Sequence, residues 1–347
     1  MSWKRAIRPA TDQVAKYSGL LRACERRMRS GLTVLMYHRV LEDADCTDYP
    51  FPSLVMPRSL FEAQLDYLCE RVRVLTVVDA LSEGRNSPDR SKPVVCLTFD
   101  DGYVDNYEIA APLMEARGVR GTFFVTAGAV QARTPLWYDR AAAMWTSLGD
   151  REICVRIHTA GETHTSSFDS RESWIEWLKA VSSDRRNTIM AALETGVNGA
   201  AQACPLMTAD QVRDLADLGH EIGSHTLWHP ILTTMAAQER RREIQGARRL
   251  LQQWTEREVT GFCYPNGDFN AEVVNELLEA GHGYACTTQP GRNREGADPF
   301  QLRRIDMTPD WVSNDDGGFD ELGFRAEISL CRAGLRRSLQ LRGWQNR

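Results

Sequence analysis

Two adjacent carboxylates, Asp100 and Asp101, follow the apolar run at residues 93–99 (PVVCLTF), which we predict to be a buried strand. Two acids at the end of such a strand repel each other and lose hydration unless a cation offsets their charge. A divalent metal does this well. Because neighbouring side chains of an extended chain point to opposite sides, one carboxylate could bind a metal while the other faces a substrate. A helix start rich in Asp is the alternative interpretation.

A second group of candidate ligands lies at residues 224–230 (SHTLWHP). His225 and His229 are four residues apart, so their imidazoles can converge on one metal if the segment turns helically. Neutral imidazole together with carboxylate suits Zn²⁺, Co²⁺, Ni²⁺ or Fe²⁺. We therefore expect a divalent metal site, with zinc as the first choice, and we interpret the nearby His220 as a turn residue.

A third motif, residues 262–267 (FCYPNG), is a predicted strand that ends in a Pro-Asn-Gly turn. Such a turn can lay backbone N–H groups beside a substrate oxygen, so Tyr264, Pro265 and Asn266 are candidate substrate contacts. All three motifs come at the predicted carboxyl ends of strands. Active sites lie at this end in barrels and open α/β sheets.

The elements that must position these motifs alternate between apolar strands and amphipathic helices. We predict strands at residues 32–37, 73–78, 93–99, 121–126, 219–224, 261–264, 284–288 and 302–307. We predict helices at residues 3–29, from 58, and at 106–117, 209–218 (after the N-cap Thr208), 233–254 and 270–281. This alternation indicates an α/β fold with a parallel sheet or barrel.

Residues 131–206 interrupt the alternation. They are polar, contain tryptophans and are largely helical in pattern, so we interpret them as a helical insertion between barrel strands. Trp137, Tyr138, Asp139 and Trp145 open this insertion. Their aromatic rings could stack on sugar faces, or they could pack the insertion against the barrel.

The charge of the chain is uneven. Residues 1–30 carry a net charge of +6 and residues 325–347 carry +5, so the net −5 of the chain leaves −16 between them. We expect a basic amphipathic helix at 1–30 and a basic helix at 321–347. These ends are either solvated helices or contacts with an anionic membrane face or a phosphate-bearing substrate. Nucleic acid is not expected, because the body is acidic and carries no aromatic-basic stripe.

The composition is that of an ordinary globular protein, with 42% hydrophobic and 26% charged residues. No run of 18 apolar residues predicts a membrane span, and no apolar segment after the first basic residues predicts an export signal. The nine cysteines are scattered without CxxC pairs. We therefore expect reduced thiols and a cytoplasmic protein, either free in the cytoplasm or peripheral on the inner membrane face.

Together, the motifs resemble those of a known family. TFDDGY, SHTLWHP and FCYPNG are similar, in order, to the first three motifs of the polysaccharide deacetylases, the NodB-type carbohydrate esterases of family four. The stretches LTVLMYHRV and PRSLFEAQLDYL resemble the lead-in of many members. The resemblance covers residues 31–130 and 205–310.

The resemblance implies a distorted, shortened (β/α) barrel like a TIM barrel, with about seven strands. This barrel would occupy residues 31–320, including the insertion. The resemblance also implies that Asp101, His225 and His229 hold the metal and that Asp100 is the general base. By analogy, the backbone N–H of Tyr103 would help to hold the oxyanion.

The sequence departs from the family pattern at two places. Many members have Arg where Cys263 stands, and that Arg tunes the catalytic aspartate, so another cation must do so here or none does. The late motif, which usually carries a His as general acid, matches residues 302–306 (LRRID), where Asp306 or water could serve instead. Arg304 could bind an anion or pair with a site carboxylate. His38, at the end of the first strand, could belong to the site or make a structural hydrogen bond.

These observations predict hydrolysis of the N-acetyl or N-formyl group of an amino sugar. A lipid- or nucleotide-linked precursor, or a surface polysaccharide, is the expected substrate. Two alternatives stay open. One is an amidohydrolase acting on a non-sugar amide or imide, and the other is a non-catalytic carbohydrate-binding protein with the same fold.

Overall fold

Seven parallel strands close into a barrel in the computed structural model, which describes residues 19–83, 91–147, 153–159, 162–194 and 206–333. The described strands, in chain order, are β1 (Gly31–Tyr37), β2 (Arg39–Leu41), β3 (Val55–Pro57), β4 (Arg73–Val74), β5 (Val94–Phe99), β6 (Thr122–Val125), β7 (Ile153–Thr159), β8 (Glu162–Phe168), β9 (Glu221–Ser224), β10 (Gly261–Cys263), β11 (Tyr284–Pro290), β12 (Asn293–Arg294) and β13 (Leu302–Asp306).

The barrel runs through β1, β5, β6, β9, β10, β11 and β13 and closes because β1 pairs with both β5 and β13. Each of these seven pairings is parallel. The predicted seven-stranded α/β barrel is confirmed. Two short strands of the same sheet lie outside the ring: β4 extends the edge beside β5, and β12 pairs antiparallel with β1. Strands β2 and β3 form a separate parallel pair.

The described α-helices cover the outside and the ends of the barrel. They are α1 (Leu20–Met28), α2 (Arg58–Arg71), α3 (Val77–Glu83), α4 (Ala111–Glu115), α5 (Ala127–Ala132), α6 (Trp137–Ser147), α7 (Arg171–Ala180), α8 (Ser183–Glu194), α9 (Ala209–Asp217), α10 (Ala237–Thr255), α11 (Ala271–Glu279), α12 (Pro309–Val312) and α13 (Glu321–Ile328). None of the helices in these ranges combines the length and the apolar character that a bilayer crossing requires.

Both faces of the barrel strands are buried, as continuous apolar runs require. Val34, Cys96 and Phe124 belong to one apolar cluster contributed by the strands. Their neighbours along the chain, such as Leu35 and Phe123, pack instead in the large cluster shared with the helices. Period-two alternation therefore sends successive side chains into two different cores.

Local hydrogen bonds explain where several elements begin. Thr208 forms a capping box with Gln211 at the start of α9, which confirms the predicted N-cap. The strand predicted at 73–78 is wrong beyond Val74, whereas the start of a helix predicted at 77–81 is confirmed by α3. The hydroxyl of Thr76 accepts a hydrogen bond from the backbone N–H of Asp79, and this contact favours the start of α3. The helix predicted at 106–117 begins with a π-helical turn at Asn106–Ala110 before α4.

The insertion is not as helical as its sequence pattern suggests. Helices α6, α7 and α8 confirm the helical part, but β7 and β8 form an antiparallel hairpin between α6 and α7. β-Hairpin pairing depends on cross-strand partners rather than on local helical periodicity, so the pattern at 131–206 did not reveal it.

The terminal helices are shorter in the described part of the chain than predicted. Of the helix predicted at 3–29, α1 covers Leu20–Met28, and residues 1–18 lie outside the described residues. Helix α13 ends at Ile328, shortly before Leu330 adopts a left-handed φ of 58°. The rest of the helix predicted at 321–347 extends beyond residue 333 and so lies outside the described residues.

Candidate metal centre and catalytic site

The carboxyl end of the barrel brings the predicted metal ligands together. Oδ1 of Asp101 lies 3.4 Å from Nε2 of His225 and 3.5 Å from Nε2 of His229. Ligand atoms of all three residues lie within 4.8 Å of one another. A tetrahedral ion with bonds of about 2.1 Å spaces its ligand atoms about 3.4 Å apart, so the donor set fits a zinc-sized divalent cation.

Backbone conformation, rather than a helical turn, brings these side chains together. Asp101 has a left-handed φ of 80°, which turns its carboxylate away from the direction of Asp100. Thr226 and His229 are also left-handed, with φ of 70° and 55°. The two imidazoles therefore converge without the helical turn that their spacing suggested. Non-glycine residues in this region are strained, and such strain is concentrated at functional sites.

A hydrogen bond to the main chain orients His225 as a ligand. Its Nδ1 lies 2.7 Å from the carbonyl oxygen of Cys263. When the ring is neutral and Nδ1–H donates to that oxygen, Nε2 presents a lone pair toward the carboxylate of Asp101. A proton or a metal cation between these two atoms satisfies both of them. Histidines that bind a metal through one ring nitrogen commonly make a hydrogen bond of this kind through the other ring nitrogen.

Burial and neighbouring charge govern the protonation of the three residues. Burial, reinforced by His225, lowers the pKa of His229 to about 3, so its ring is neutral and ready to bind. Burial acts in the same direction on His225, but contacts with Asp101 and Asp100 outweigh it and raise the pKa overall. Burial alone would raise the pKa of Asp101, yet the two histidines hold it below its ordinary value. Asp101 is therefore ionised.

Arg304 supplies the cation that the sequence at Cys263 lacks. Its two Nη atoms each lie 2.7 Å from an oxygen of Asp100, and the side chains of both residues are almost fully buried. The guanidinium also donates to the carbonyl of Thr287 and the hydroxyl of Thr98. Burial would raise the pKa of Asp100, but Arg304 offsets burial and holds that pKa below its usual range.

Cys263 lies beside this pair and contacts both groups. Its Sγ lies 3.0 Å from Nη2 of Arg304 and 3.4 Å from Oδ2 of Asp100. Asp100, His225 and Cys263 also lie close enough to share an ion. Burial raises the pKa of the Cys263 thiol well above its usual value, so this sulfur stays protonated and is a poor ligand.

His38 lies close to Asp100. Its Nε2 is 4.0 Å from Oδ2 of Asp100, and 16% of its side chain is exposed. The ring thus contacts both the site and solvent. Its position directly after β1, next to Tyr37, explains why it shares the carboxyl end of the barrel with Asp100, which follows the neighbouring β5.

The insertion packs against the metal ligands from the other side. The indole N–H of Trp137 donates to the carbonyl of His229 (3.0 Å), and the ring of Tyr138 meets the His229 ring edge-on at 5.3 Å. The guanidinium of Arg186 lies 4.2 Å from the centre of the Trp137 ring. Because Trp137 is buried, its indole packs the insertion against the barrel, which is one of the two predicted possibilities.

A buried polar network links the insertion to the TFDDGY segment. Asp139 accepts hydrogen bonds from the hydroxyls of Tyr103 (2.7 Å) and Tyr49 (2.8 Å), and Tyr103 also contacts the hydroxyl of Tyr138. Burial raises the pKa of Asp139 to about 7 although the tyrosines lower it. The side chain of Tyr103 is therefore structural, while the predicted role of its backbone N–H stays a prediction.

The remaining predicted contacts lie in different surroundings. The side chain of Tyr264 is in the core, where its hydroxyl donates to the carbonyl of Phe300. Pro265 is buried, whereas Asn266 is exposed, with a left-handed φ of 59°. Asp306 is exposed at the carboxyl end of β13. The substrate roles of these residues stay predictions.

Glu243 was missed by the sequence interpretation. Its Oε2 accepts from the backbone N–H groups of Leu227 (2.9 Å) and Trp228 (3.0 Å), which anchors the loop between the two histidine ligands. Glu243 lies on α10 and has no motif around it, so nothing in the sequence could indicate this contact. His220, interpreted as a turn residue, is buried, and its Nδ1 accepts from the N–H of Gly121.

The family model described as polysaccharide deacetylase matches residues 87–285, which is more than half of the chain. The chain belongs to the polysaccharide deacetylases. It is accordingly a hydrolase that acts on amide C–N bonds of carbohydrates, and the expected fold and family are confirmed.

Individual relatives are distant. The chain is 21% identical over 291 residues to YxkH of Bacillus subtilis, whose name places it among the polysaccharide deacetylases; the match covers 84% of this chain and 76% of YxkH. The deacetylase PplD of Streptococcus pyogenes, solved with acetate, superposes with a TM-score of 0.55 at 18% identity, covering 81% of this chain and 94% of PplD. IcaB of Ammonifex degensii gives 0.52 at 20% identity, covering 81% and 93%. These superpositions support the fold.

Proposed function

We propose that this protein is a metal-dependent N-deacetylase that removes the N-acetyl, or N-formyl, group of an amino sugar and releases a free amine and a carboxylate. The observation that carries the proposal is the convergence of Asp101, His225 and His229 at zinc-ligand spacing beside the ionised Asp100. These three residues would hold a divalent metal, with zinc as the first choice. When bound, the metal would supply Lewis-acid polarisation of water and of the amide carbonyl.

Asp100 is placed to act as the base. Its carboxylate would accept a proton from the attacking water, whose oxygen then bonds to the acyl carbon. Arg304 keeps the carboxylate ionised and fixes its orientation through two hydrogen bonds. The developing oxyanion would accept a hydrogen bond from the backbone N–H of Tyr103.

His38 is the residue that we propose as the general acid. The C–N bond breaks only if the leaving nitrogen gains a proton, and the late-motif histidine of the family is absent here. Nε2 of His38 lies 4.0 Å from Asp100 and reaches solvent, so it can take a proton from the bulk and pass it to the amine nitrogen. Asp306 is exposed, and we assign it no step.

We propose that the sugar is carried by a lipid- or nucleotide-linked precursor or by a surface polysaccharide. The net charge of +6 at residues 1–30 and +5 at 325–347 supports contact of these ends with an anionic membrane face. The described parts of these ends, α1 and α13, lie at the amino-terminal end of the barrel, so their charge does not select the carrier at the active site. The seven cysteines whose side chains the structure describes are free thiols, which supports a reducing compartment such as the cytoplasm.

The test is acetate release from N-acetylated sugars presented free, nucleotide-linked and lipid-linked, with Zn²⁺ added. Asp100→Asn and His225→Ala are each expected to reduce kcat/KM by about 10²-fold or more. His220→Gln, a change at a buried histidine outside the cluster, is the matched control and should stay active. Turnover of small imides but of no sugar would favour the amidohydrolase alternative. Sugar binding without any hydrolysis would favour the binding-protein alternative.

A further inference from the structure

A cavity of about 320 Å³ opens at the amino-terminal end of the barrel. It lies between α1, the end of α2 and α13, and its lining includes Val72 and Pro93, which directly precede β4 and β5. Asp100 follows the other end of β5. Six strand residues at about 3.3 Å each put the cavity on the order of 20 Å from the catalytic site.

Arginines dominate the lining of this cavity. Five of them come from three helical segments: Arg22, Arg26, Arg29, Arg71 and Arg325. Among the described residues of the lining, Glu25 is the one acidic residue, so these residues carry five positive charges and one negative, a net +4. Nε of Arg325 lies 2.7 Å from Glu25, which neutralises one of the five.

Three of these charges are not compensated within the described part of the chain. The side chains of Arg22, Arg26 and Arg29 are exposed and have no ion-pair or hydrogen-bond partner among the described residues. Arg22 and Arg26 are four residues apart on α1, where like charges destabilise a helix. The other two arginines of the lining have partners: Arg325 pairs with Glu25, and Arg71 lies over the ring of Tyr67 at 5.5 Å.

The other walls are apolar and firmly packed. Met28, Val72 and Ile328 are buried, and Pro93 and Tyr67 complete the surface. Arginine binds phosphate through parallel N–H···O bonds, and several guanidinium groups around one cavity can take up the oxygens of a phosphate from different sides. A ligand whose phosphate is attached to an apolar group could contact the arginines through the phosphate and the apolar wall through that group.

We propose that this cavity binds the anionic phosphate group of a phosphate-bearing ligand, either a phospholipid headgroup or a soluble phosphate. The ligand is distinct from the sugar undergoing hydrolysis, because the two sites lie at opposite ends of the barrel. With a phospholipid bound, the active site faces away from the bilayer. The inference does not depend on the proposed deacetylase activity.

The experiment compares the full chain with a double variant, Arg22→Gln with Arg29→Gln. Arg242→Gln with Arg249→Gln is the matched control, because these two arginines are also exposed and seven residues apart on one helix, α10. Binding is measured by sedimentation with phosphatidylglycerol–phosphatidylcholine vesicles, with phosphatidylcholine vesicles alone, and by calorimetry with pyrophosphate. Circular dichroism confirms that each variant is folded.

We expect binding to phosphatidylglycerol vesicles or to pyrophosphate, weakened about tenfold or more by the cavity variant and unchanged in the control. Binding to vesicles alone identifies a lipid headgroup, whereas binding of pyrophosphate identifies a site that also accepts soluble phosphate. If the protein binds neither the phosphatidylglycerol vesicles nor pyrophosphate, the proposal is overturned. Equal weakening in both variants would also overturn it, because the attraction would then come from diffuse surface charge.

Discussion

Replacement of Arg304 by Gln is the change that best separates the tuning of Asp100 from the binding of the metal. Two guanidinium–carboxylate bonds of 2.7 Å join Arg304 to Asp100, and their side chains are 0% and 3% exposed. Removing one partner of such a buried pair costs about 3–5 kcal/mol of unfolding free energy, because it leaves an uncompensated buried charge. We expect the midpoint of thermal unfolding at neutral pH to fall by on the order of 10 °C.

The same change must alter the pH dependence. In the wild type, Arg304 offsets burial and lowers the pKa of Asp100. The ionised carboxylate therefore contributes stability above its unfolded-state pKa of about 3.9, and this contribution is lost as the pH falls through the lower folded pKa. In Arg304→Gln, only His225 and His38 still oppose the effect of burial, so the pKa of Asp100 rises. In the plot of kcat/KM against pH, the acidic limb is the range in which activity falls as Asp100 becomes protonated. This limb should then move to higher pH.

Arg240→Gln is the control for this experiment. Arg240 donates to both oxygens of Glu276, at 2.7 and 2.9 Å, and joins α10 to α11 through an equally buried pair. We expect a similar loss of stability without a shift of the acidic limb. Adding Cys263→Arg to Arg304→Gln should move the limb back, since many family members have Arg at that position. An unshifted profile in Arg304→Gln would refute the assignment of Arg304 as the residue that tunes Asp100.

Three further changes test other parts of the site. His38→Gln should reduce kcat by about 10²–10⁴-fold while bound metal, measured by atomic absorption, stays at the wild-type level; a loss of metal instead would show that His38 is a ligand. Asp139 has a raised pKa of about 7, so wild-type stability should fall as the pH rises from about 4 to 7, by up to about 1.4 kcal/mol per pH unit. Asp139→Asn should flatten this dependence in denaturant titrations, and an unchanged slope would contradict it. Trp137→Phe removes the hydrogen bond to the His229 carbonyl and should weaken metal binding about two- to tenfold. Competition with a chelator measures this affinity. The same change at the exposed Trp228 should leave the affinity unchanged.

The sequence alone predicted the barrel because its strands are strongly apolar and each motif follows one of them. Asp100 and His225 came from different motifs, and the rule that parallel strands share a carboxyl end was enough to bring them together. The start of α9 was equally predictable, since Thr208 and Gln211 form a capping box that is local in the sequence.

Other features depended on tertiary contacts that a single sequence does not display. Pairing of Arg304 with a site carboxylate was one of the two roles considered for it, but the sequence did not indicate that the carboxylate is Asp100, 204 residues away. Only the closure of the barrel between β13 and β1 brings Arg304 beside β5. The left-handed conformation of His229 has no signature in residue type, because non-glycine residues rarely adopt it. The hairpin of the insertion was missed because local periodicity favoured helix there.

The central claim is that one divalent metal, held by Asp101, His225 and His229, is required for amide hydrolysis. The most direct measurement is titration of Zn²⁺ into metal-free protein, with bound metal and acetate release followed in the same samples. Acetate release should rise in proportion to bound zinc and stop rising at one equivalent per chain, and Asp101→Asn should abolish both. Full acetate release by metal-free protein, or one tightly bound zinc in Asp101→Asn, would contradict the account.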